Sequence, residues 1–411
     1  MKELMTFERG ESQGRATGEA HPMVYADAAE VARRLQPERP VQCFSASALV
    51  RQLGVFERGF PGEVSYAVKA NSAPEVLRTL GDAGLKLYDV ASVEEMELVS
   101  SLVPGAHFHY HNPIKSRGEI VRAYREFGVR RFAVDDAGEI AKIAQSVPAG
   151  AGIEIAVRFR LPKHGASAHD FSTKFGATPA EAVVLLADVA ARGLAPVLTF
   201  HPGSQCTDPE AYTRHIKVAA EIARKAGVTL VALNVGGGFP AQYAGGTVPV
   251  LRTVFQAIKT ATRAAFGAKA VPTLECEPGR GLVAGSTSLL TRVKAVKPHR
   301  GEVFLNDGIY GALMEVSQCK TLQPPYRALR AGRPMTGKTA AFTTYGPTCD
   351  PIDVLPNKLE LPAAIGEDDY VEFGMNGAYG RATSTCFNGY AVAAIVPVRM
   401  VFAGKAPAAT A

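Results

Sequence analysis

From residue 64 onward the chain alternates short apolar or β-branched runs with longer segments whose apolar residues recur at helical spacing. The short runs, 64–69, 85–89, 107–112, 130–135, 153–160, 196–201, 230–235 and 273–277, predict strands. The segments between them, 74–83, 93–103, 119–127, 138–147, 179–192, 209–226 and 250–266, predict helices, several opening on Ser, Asp, Thr or Pro. Eight strands alternating with helices over roughly two hundred residues is the arithmetic of a (β/α)8 barrel. A doubly wound open sheet is the competing architecture, because alternation alone does not decide closure. After Arg280 the rhythm changes. Segments 288–296, 302–305, 339–344, 370–373 and 391–402 read as strands separated by Gly and Pro, so a mainly β domain follows. The expected division is a flexible polar leader over 1–24 and a barrel over 45–280. A β-sandwich or barrel-like domain would form from 25–44 plus 281–411, since 41–44 is itself β-like.

Composition narrows the class without changing the fold. The 411 residues are 47% hydrophobic and 20% charged, with 40 Gly and 27 Pro, an ordinary globular balance for two domains. The formal charge of +6 is scattered, so neither a nucleic-acid patch nor a membrane anchor is expected. No run of eighteen apolar residues and no apolar signal core near Met1 appears, which points to a cytoplasmic protein. Six cysteines, Cys43, Cys206, Cys276, Cys319, Cys349 and Cys386, lack zinc or disulfide-scaffold spacing, and the default for each is a reduced, buried thiol.

Candidate chemistry collects at the strand ends. They are Lys69, Asp89, Asn112, Asp135, Arg158, His201, the triplet Gly236-Gly237-Gly238 and Glu277, while strand interiors read as apolar. The active site of a barrel of this kind lies at the C-terminal mouth of its strands. Lys69 reads either as a solvated surface lysine or as a Schiff-base lysine whose pKa falls in a partly desolvated mouth. The glycine triplet is either a flexible loop or a nest of N–H groups for an anion, and Gly279-Arg280 in the next loop suits an anion too. No dinucleotide fingerprint is present. His201 could act as a base, bind a metal or lie flat on an aromatic cofactor. Metal is least favoured, because the strand ends offer neither a Cys/His set nor a tight carboxylate cluster. Glu277 reads as a surface carboxylate or as a partner for a heteroaromatic nitrogen. Cys349-Asp350 after Gly346-Pro347 reads as a structural turn or as an acid/base thiol beside a carboxylate for an ammonium group. The run Gly377-Ala378-Tyr379-Gly380 is a glycine-rich turn carrying one phenol.

Several segments in order resemble one family. They are Tyr66-Ala67-Val68-Lys69-Ala70-Asn71, Tyr88-Asp89-Val90-Ala91-Ser92, Asn112-Pro113-Ile114-Lys115, Thr173-Lys174-Phe175-Gly176-Ala177 and Phe200-His201-Pro202-Gly203-Ser204. They continue with Gly236-Gly237-Gly238-Phe239-Pro240, Glu277-Pro278-Gly279-Arg280, Asn306-Asp307-Gly308-Ile309-Tyr310-Gly311, Gly346-Pro347-Thr348-Cys349-Asp350 and Gly377-Ala378-Tyr379. Over roughly Phe44 to Val401 the chain is similar to the ornithine/diaminopimelate/arginine decarboxylases, the fold type III pyridoxal-phosphate enzymes, and within them to the ornithine branch of polyamine biosynthesis.

The resemblance implies an alanine-racemase-like barrel plus β domain, pyridoxal 5′-phosphate as cofactor, and a homodimer with active sites shared across the interface. It implies that Lys69 carries the cofactor, His201 stacks on its ring, and Glu277 pairs with the ring nitrogen. Arg158 and Asp89 would lie near the phenolic and lysine side. Ser204, Gly236, Gly237, Gly238, Gly279, Arg280 and Tyr379 would hold the phosphate. The partner would supply Cys349 to protonate the decarboxylated carbon and Asp350 to bind the distal ammonium of L-ornithine, L-lysine or another diamino acid. One stretch departs from the pattern. Where ornithine decarboxylases carry a Tyr-Asp pair that reads the distal amine, this chain has Gln318-Cys319 within Met314–Lys320, and Glu315 is the carboxylate that could substitute. A racemase on the same barrel and a non-catalytic regulator are the other readings. Cys349-Asp350 speaks against the first and the presence of Lys69 against the second.

Overall fold

The computed structural model describes residues 23–162, 174–267, 270–319, 322–390 and 393–402. The leader expected over 1–24, except its last two residues, and Thr173 of the family-like segments lie outside these residues.

The parallel strands close into a barrel because the first one is split. Glu63–Val64 pairs with Thr273–Cys276, and Tyr66–Ala67, one residue further on, pairs with Leu87–Val90. The Ser65 N–H between the halves donates to the Cys276 carbonyl at 2.9 Å, so both ends of the sheet meet on one segment. His107–Tyr110, Arg131–Val134, Glu154–Arg158, Ala195–Thr199 and Ala232–Asn234 follow in order around the ring. The helices outside are set by their ends. Ser116 and Glu119 form a capping box ahead of Arg117–Glu126, and Thr178 and Glu181 do the same ahead of Pro179–Ala191. Each such cap satisfies end N–H groups that would otherwise lack partners, worth about 1 kcal/mol.

The barrel interior corrects one expectation. Ala133, Ala156, Val197 and Ala232 form a fully buried cluster of small side chains on four neighbouring strands. The volume they leave is filled by polar groups. Arg131 is ion-paired to Glu275 and donates through Nε to Glu154 at 2.6 Å, and Nδ1 of His109 lies 3.7 Å from Glu275. Arg131 and Glu275 stand on strands separated by three others, so their contact crosses the barrel. A charge desolvated this deeply is tolerated only when paired. Alternation along a strand cannot reveal that partner, because it comes from the opposite wall.

Beyond Arg280 the second sheet runs through Arg333–Pro334, Tyr326–Arg330, Tyr370–Phe373, Thr287–Lys297, Glu302–Leu305, Thr339–Tyr345 and Leu359–Pro362. Val41–Phe44 joins it, antiparallel to Thr287–Lys297 and parallel to Ala394–Pro397. Leu289, Val293, Val303, Leu305, Val371 and Phe373 form the centre of its core. Among the described residues no helix is long and apolar enough to cross a membrane. Cys43, Cys206, Cys276 and Cys319 are buried as expected, whereas Cys349 and Cys386 are exposed.

Candidate active site

At the mouth of the barrel lies a cavity of about 560 Å³ lined by Lys69, Asp89, His111, Arg158, His201, Ser204, Gly237, Gly238, Glu277, Gly279, Arg280 and Tyr379, among others. Lys69 sits in a single 3-10 turn, Val68–Ala70, which lifts it off the strand Tyr66–Ala67. Its Nζ donates to Oδ2 of Asp89 at 2.9 Å. The expectation of a depressed lysine pKa is overturned. Burial does press Lys69 downward, but the Asp89 and Glu277 carboxylates outweigh it and raise the ammonium well above its ordinary value. Lys69 is therefore a cation held by a buried carboxylate, and it reacts as an amine only after giving up a proton.

The two carboxylates divide their roles. Burial opposes charge on Glu277, but His111, Lys69 and the Asn234 amide overcome it and hold Glu277 well below the usual range. The Asn234 amide donates to Oε1 at 2.6 Å, and His111 Nδ1 contacts the same oxygen. Asp89 moves the other way, raised by burial and by the charge of Glu277. Of the pair, Glu277 keeps its charge and Asp89 is the better proton acceptor. His111 was not among the sequence candidates. It is the third histidine of the alternation His107, His109, His111, and that period-two pattern was its available signal. Asp89, His111 and Glu277 place potential ligand atoms within 4.8 Å of one another, so the mouth does hold a tight carboxylate grouping where none was expected.

His201 follows the strand Ala195–Thr199, and its Nδ1 accepts the Gly203 N–H at 3.1 Å. Burial first, then the nearby Arg158 and Lys69 cations, pull it down to about 3, so the ring is neutral at physiological pH. Arg158 ends its strand with its guanidinium 5.7 Å from the Phe175 ring centroid. One strand end stands back from this chemistry: Asp135 accepts the Gly176 N–H at 2.8 Å and does not line the cavity. Asn112 does line it, while its Oδ1 accepts the Ile114 N–H of its own loop.

The anion-suited loops converge. Gly236 and Gly238 have φ of 67° and 88°, which favour glycine, and a Cβ on Gly236 would overlap the Phe200 carbonyl. A Cβ on Gly237 would come 2.7 Å from the Glu277 carbonyl oxygen and 3.0 Å from His201 Nε2. Arg280 Nε donates to Ser204 at 3.3 Å, and the guanidinium lies 5.1 Å from the Tyr379 ring centroid. Tyr379 itself adopts φ 56°, a costly left-handed conformation, while its N–H donates to the Ala70 carbonyl at 2.8 Å. That bond ties the turn of the second domain to the turn bearing Lys69.

Glu315 is turned toward the anion loop. It is ion-paired through both oxygens to Arg280, which also donates to the Tyr243 hydroxyl at 2.9 Å. The short helix Met314–Gln318 therefore braces the arginine of the anion loop, and Cys319, where a second amine-reading carboxylate is expected, is buried.

Cys349 and Asp350 do not join this cavity within one chain; neither lines it. Asp353 builds their turn, accepting from the Thr348 hydroxyl at 2.7 Å and the Ile309 N–H at 3.0 Å. Cys349 is exposed and its thiol donates to Asn388 at 3.3 Å. Tyr310, which carried no role in the sequence reading, donates its hydroxyl to Asp350 at 2.6 Å. That bond and the Ile352 N–H hold the Asp350 carboxyl below its ordinary value.

A phosphorylated pyridine aldehyde fits the residues of the cavity. The glycine loop packs so closely on neighbouring backbone that no Cβ fits, and it brings Gly237 and Gly238 to the cavity beside Ser204 and Arg280 for a phosphate. A lysine stands ready for an aldehyde, a neutral imidazole for a ring face, and an ionised carboxylate for a protonated ring nitrogen. The comparisons agree. Residues 46–284 match the family described as pyridoxal-dependent decarboxylase, pyridoxal binding domain. A lysine/ornithine decarboxylase of Selenomonas ruminantium is 36% identical over 339 residues, covering 80% of this chain and 82% of that protein. The crystal structure of SrLDC in complex with PLP and cadaverine superposes with a TM-score of 0.77 at 31% identity, over 89% of this chain and 92% of the other. A lysine/ornithine decarboxylase from Vibrio vulnificus, complexed with cadaverine, superposes with a TM-score of 0.78 at 27% identity, over 90% and 96% of the two chains. The chain belongs to the pyridoxal-dependent decarboxylase family of basic amino acids, and pyridoxal 5′-phosphate is the cofactor its barrel is built to take.

Proposed function

We propose that this protein decarboxylates L-ornithine to the corresponding diamine, as a homodimer in which each barrel works with the partner's Cys349-Asp350 turn. The carrying observation is that Cys349 and Asp350 are presented on an exposed turn, held by Asn388 and Tyr310, yet do not reach the Lys69 cavity of their own chain. A second copy is the simplest source of these groups for that cavity.

When bound, pyridoxal 5′-phosphate supplies a protonated heteroaromatic ring that takes up the electron pair left as the substrate carboxylate departs as carbon dioxide. The chain's own groups do the rest. Ser204, the triplet Gly236 to Gly238, Gly279, Arg280 and Tyr379 hold the phosphate. Lys69 would hold the aldehyde carbon, the aldehyde oxygen leaving as water, and Asp89, in contact with Nζ and raised in pKa, is placed to take the proton that Lys69 must lose first. Ionised Glu277 would favour a protonated ring nitrogen, neutral His201 would cover a ring face, and Arg158 would serve the phenolic side. Cys349 delivers a proton to the carbon, and Asp350, kept ionised by Tyr310, takes the distal ammonium.

L-Lysine is the second reading, and Glu315 favours it. With Glu315 committed to Arg280 and Cys319 buried, one carboxylate rather than two is left to fix the distance to the distal ammonium. Discrimination between chain lengths differing by one methylene then weakens. The test is kcat/KM for L-ornithine, L-lysine, L-arginine and diaminopimelate with the wild type and Asp350→Ala. Activity on L-ornithine above L-lysine, with both lost about a hundredfold or more in the variant, is expected, since a buried ammonium would be left unpaired. Unchanged selectivity and rate in Asp350→Ala would sink the assignment of the distal ammonium.

A further inference from the structure

The polar groups crossing the barrel reach the active site through His111. Its side chain lies just beyond the strand His107–Tyr110, separated from the strand before Glu277 by two others, and is 6% exposed. Nδ1 contacts Oε1 of Glu277 and lies 3.9 Å from Oδ1 of Asp89. An ionised carboxylate has no hydrogen to give, so Nδ1 carries the hydrogen and donates. Oε1 thus receives two donors, His111 and the Asn234 amide at 2.6 Å, while no donor to Oε2 is found among the described residues. The two oxygens of Glu277 are differentiated before any ligand is considered.

Behind His111 the column continues. The His109 ring lies 5.4 Å from it, tilted by 33°, and His109 leads to Glu275 and Arg131. Nε2 of His111 is buried and has no partner among the described residues, so the ring is not held in place by hydrogen bonds at both ends. Leaving a buried polar atom unsatisfied is unfavourable, and a purely structural residue at this place would be apolar. The contact with Glu277 is what the imidazole contributes.

We propose that His111 is a positioning residue for Glu277: by donating from Nδ1 to Oε1 it fixes the carboxylate so that Oε2 is left for the cofactor's ring nitrogen. The inference rests on the assignment of Glu277 to that nitrogen. His111, Lys69 and the Asn234 amide all favour the charged carboxylate. A correctly oriented, fully ionised Glu277 keeps the ring nitrogen protonated, and the rate of carboxylate loss depends on that protonation.

The test uses holo-protein loaded with pyridoxal phosphate labelled with nitrogen-15 at the ring. The nitrogen chemical shift reports ring protonation directly, apart from turnover. In His111→Leu the shift should move toward that of an unprotonated pyridine. The kcat should fall about tenfold or more with KM little changed, because the lost interaction serves the transition state. His111→Gln, which keeps an N–H donor, should recover part of both. If His111→Leu leaves shift and kcat unchanged while Glu277→Ala alters both, the role of His111 is wrong and that of Glu277 stands. If Glu277→Ala leaves the shift unchanged, the underlying assignment of Glu277 fails instead. Should His111→Leu not fold, the wild-type holo-protein decides. A hydrogen-bonded Nδ1 proton of His111, far downfield and lost in Glu277→Gln, is expected, and an unprotonated Nδ1 would overturn the proposal.

Discussion

Lys69 and Asp89 taken alone are an ion pair anchored on a buried carboxylate, and pairs of that kind occur in proteins with no catalytic task. What distinguishes this one is Glu277 behind it, which raises both partners while remaining charged itself. Lys69→Ala should abolish the visible absorption of lysine-bound cofactor together with turnover, and retention of that absorption would relocate the attachment. Cys349→Ala should keep the full cofactor spectrum, since Cys349 is not among the groups assigned to hold the cofactor, yet slow product formation by about a hundredfold, the scale of a lost proton donor. Loss of cofactor from that variant would contradict the separation of roles. At this scale the sequence made Lys69, Asp89, Arg158, His201 and Glu277 legible, because each ends a recognisable strand and a barrel mouth collects strand ends. His111 escaped because its importance comes from a carboxylate 166 positions away across the barrel. Tyr310 lay inside a family-like segment, but nothing local shows that its hydroxyl meets Asp350.

The short elements of the second domain were harder to read than the barrel strands. The strand Tyr326–Arg330 has no clean alternation, because Arg327 reaches the buried Glu372 at 2.7 Å, a partner on a neighbouring strand. The helix Met314–Gln318 is too short for periodicity to show, and the structure assigns its glutamate to Arg280. Just before it, Asp307 shows how such a turn is held. Its carboxylate accepts the N–H groups of Gly308 and Ala312, but burial outweighs them and pushes it up to about 6. An unfolded Asp titrates near 3.9, so between about pH 4 and 6 the folded state binds the extra proton. Stability supplied by this group is thus present at low pH and lost as pH rises through about 6. Asp307→Asn preserves the shape without the charge. Urea unfolding should find the variant more stable than the wild type above pH 6, by at most roughly 3 kcal/mol, with the difference vanishing below pH 4. An equal pH dependence in both proteins would show that Asp307 is not the group responsible.

For the whole molecule, alternation of strands and helices announced the barrel, and closure followed from a feature that alternation cannot show. The strand is split at Ser65 so that one segment serves both edges of the sheet. The proposed dimer places chemistry from two chains in one site, which a mixing experiment can read. Lys69→Ala and Cys349→Ala subunits, each inactive or slow alone, should on random reassociation recover about a quarter of wild-type activity, because half of the dimers carry one intact site of two. No recovery, with mixed dimers demonstrated, would place both residues in the same chain's site. The central claim, that this chain removes carbon dioxide from a diamino acid, is tested most directly by incubating the holo-protein with L-ornithine and following carbon dioxide and the organic product together. One putrescine per carbon dioxide, with no D-ornithine, is the predicted result. D-ornithine without carbon dioxide, or no turnover of either L-ornithine or L-lysine by cofactor-loaded protein, would contradict it.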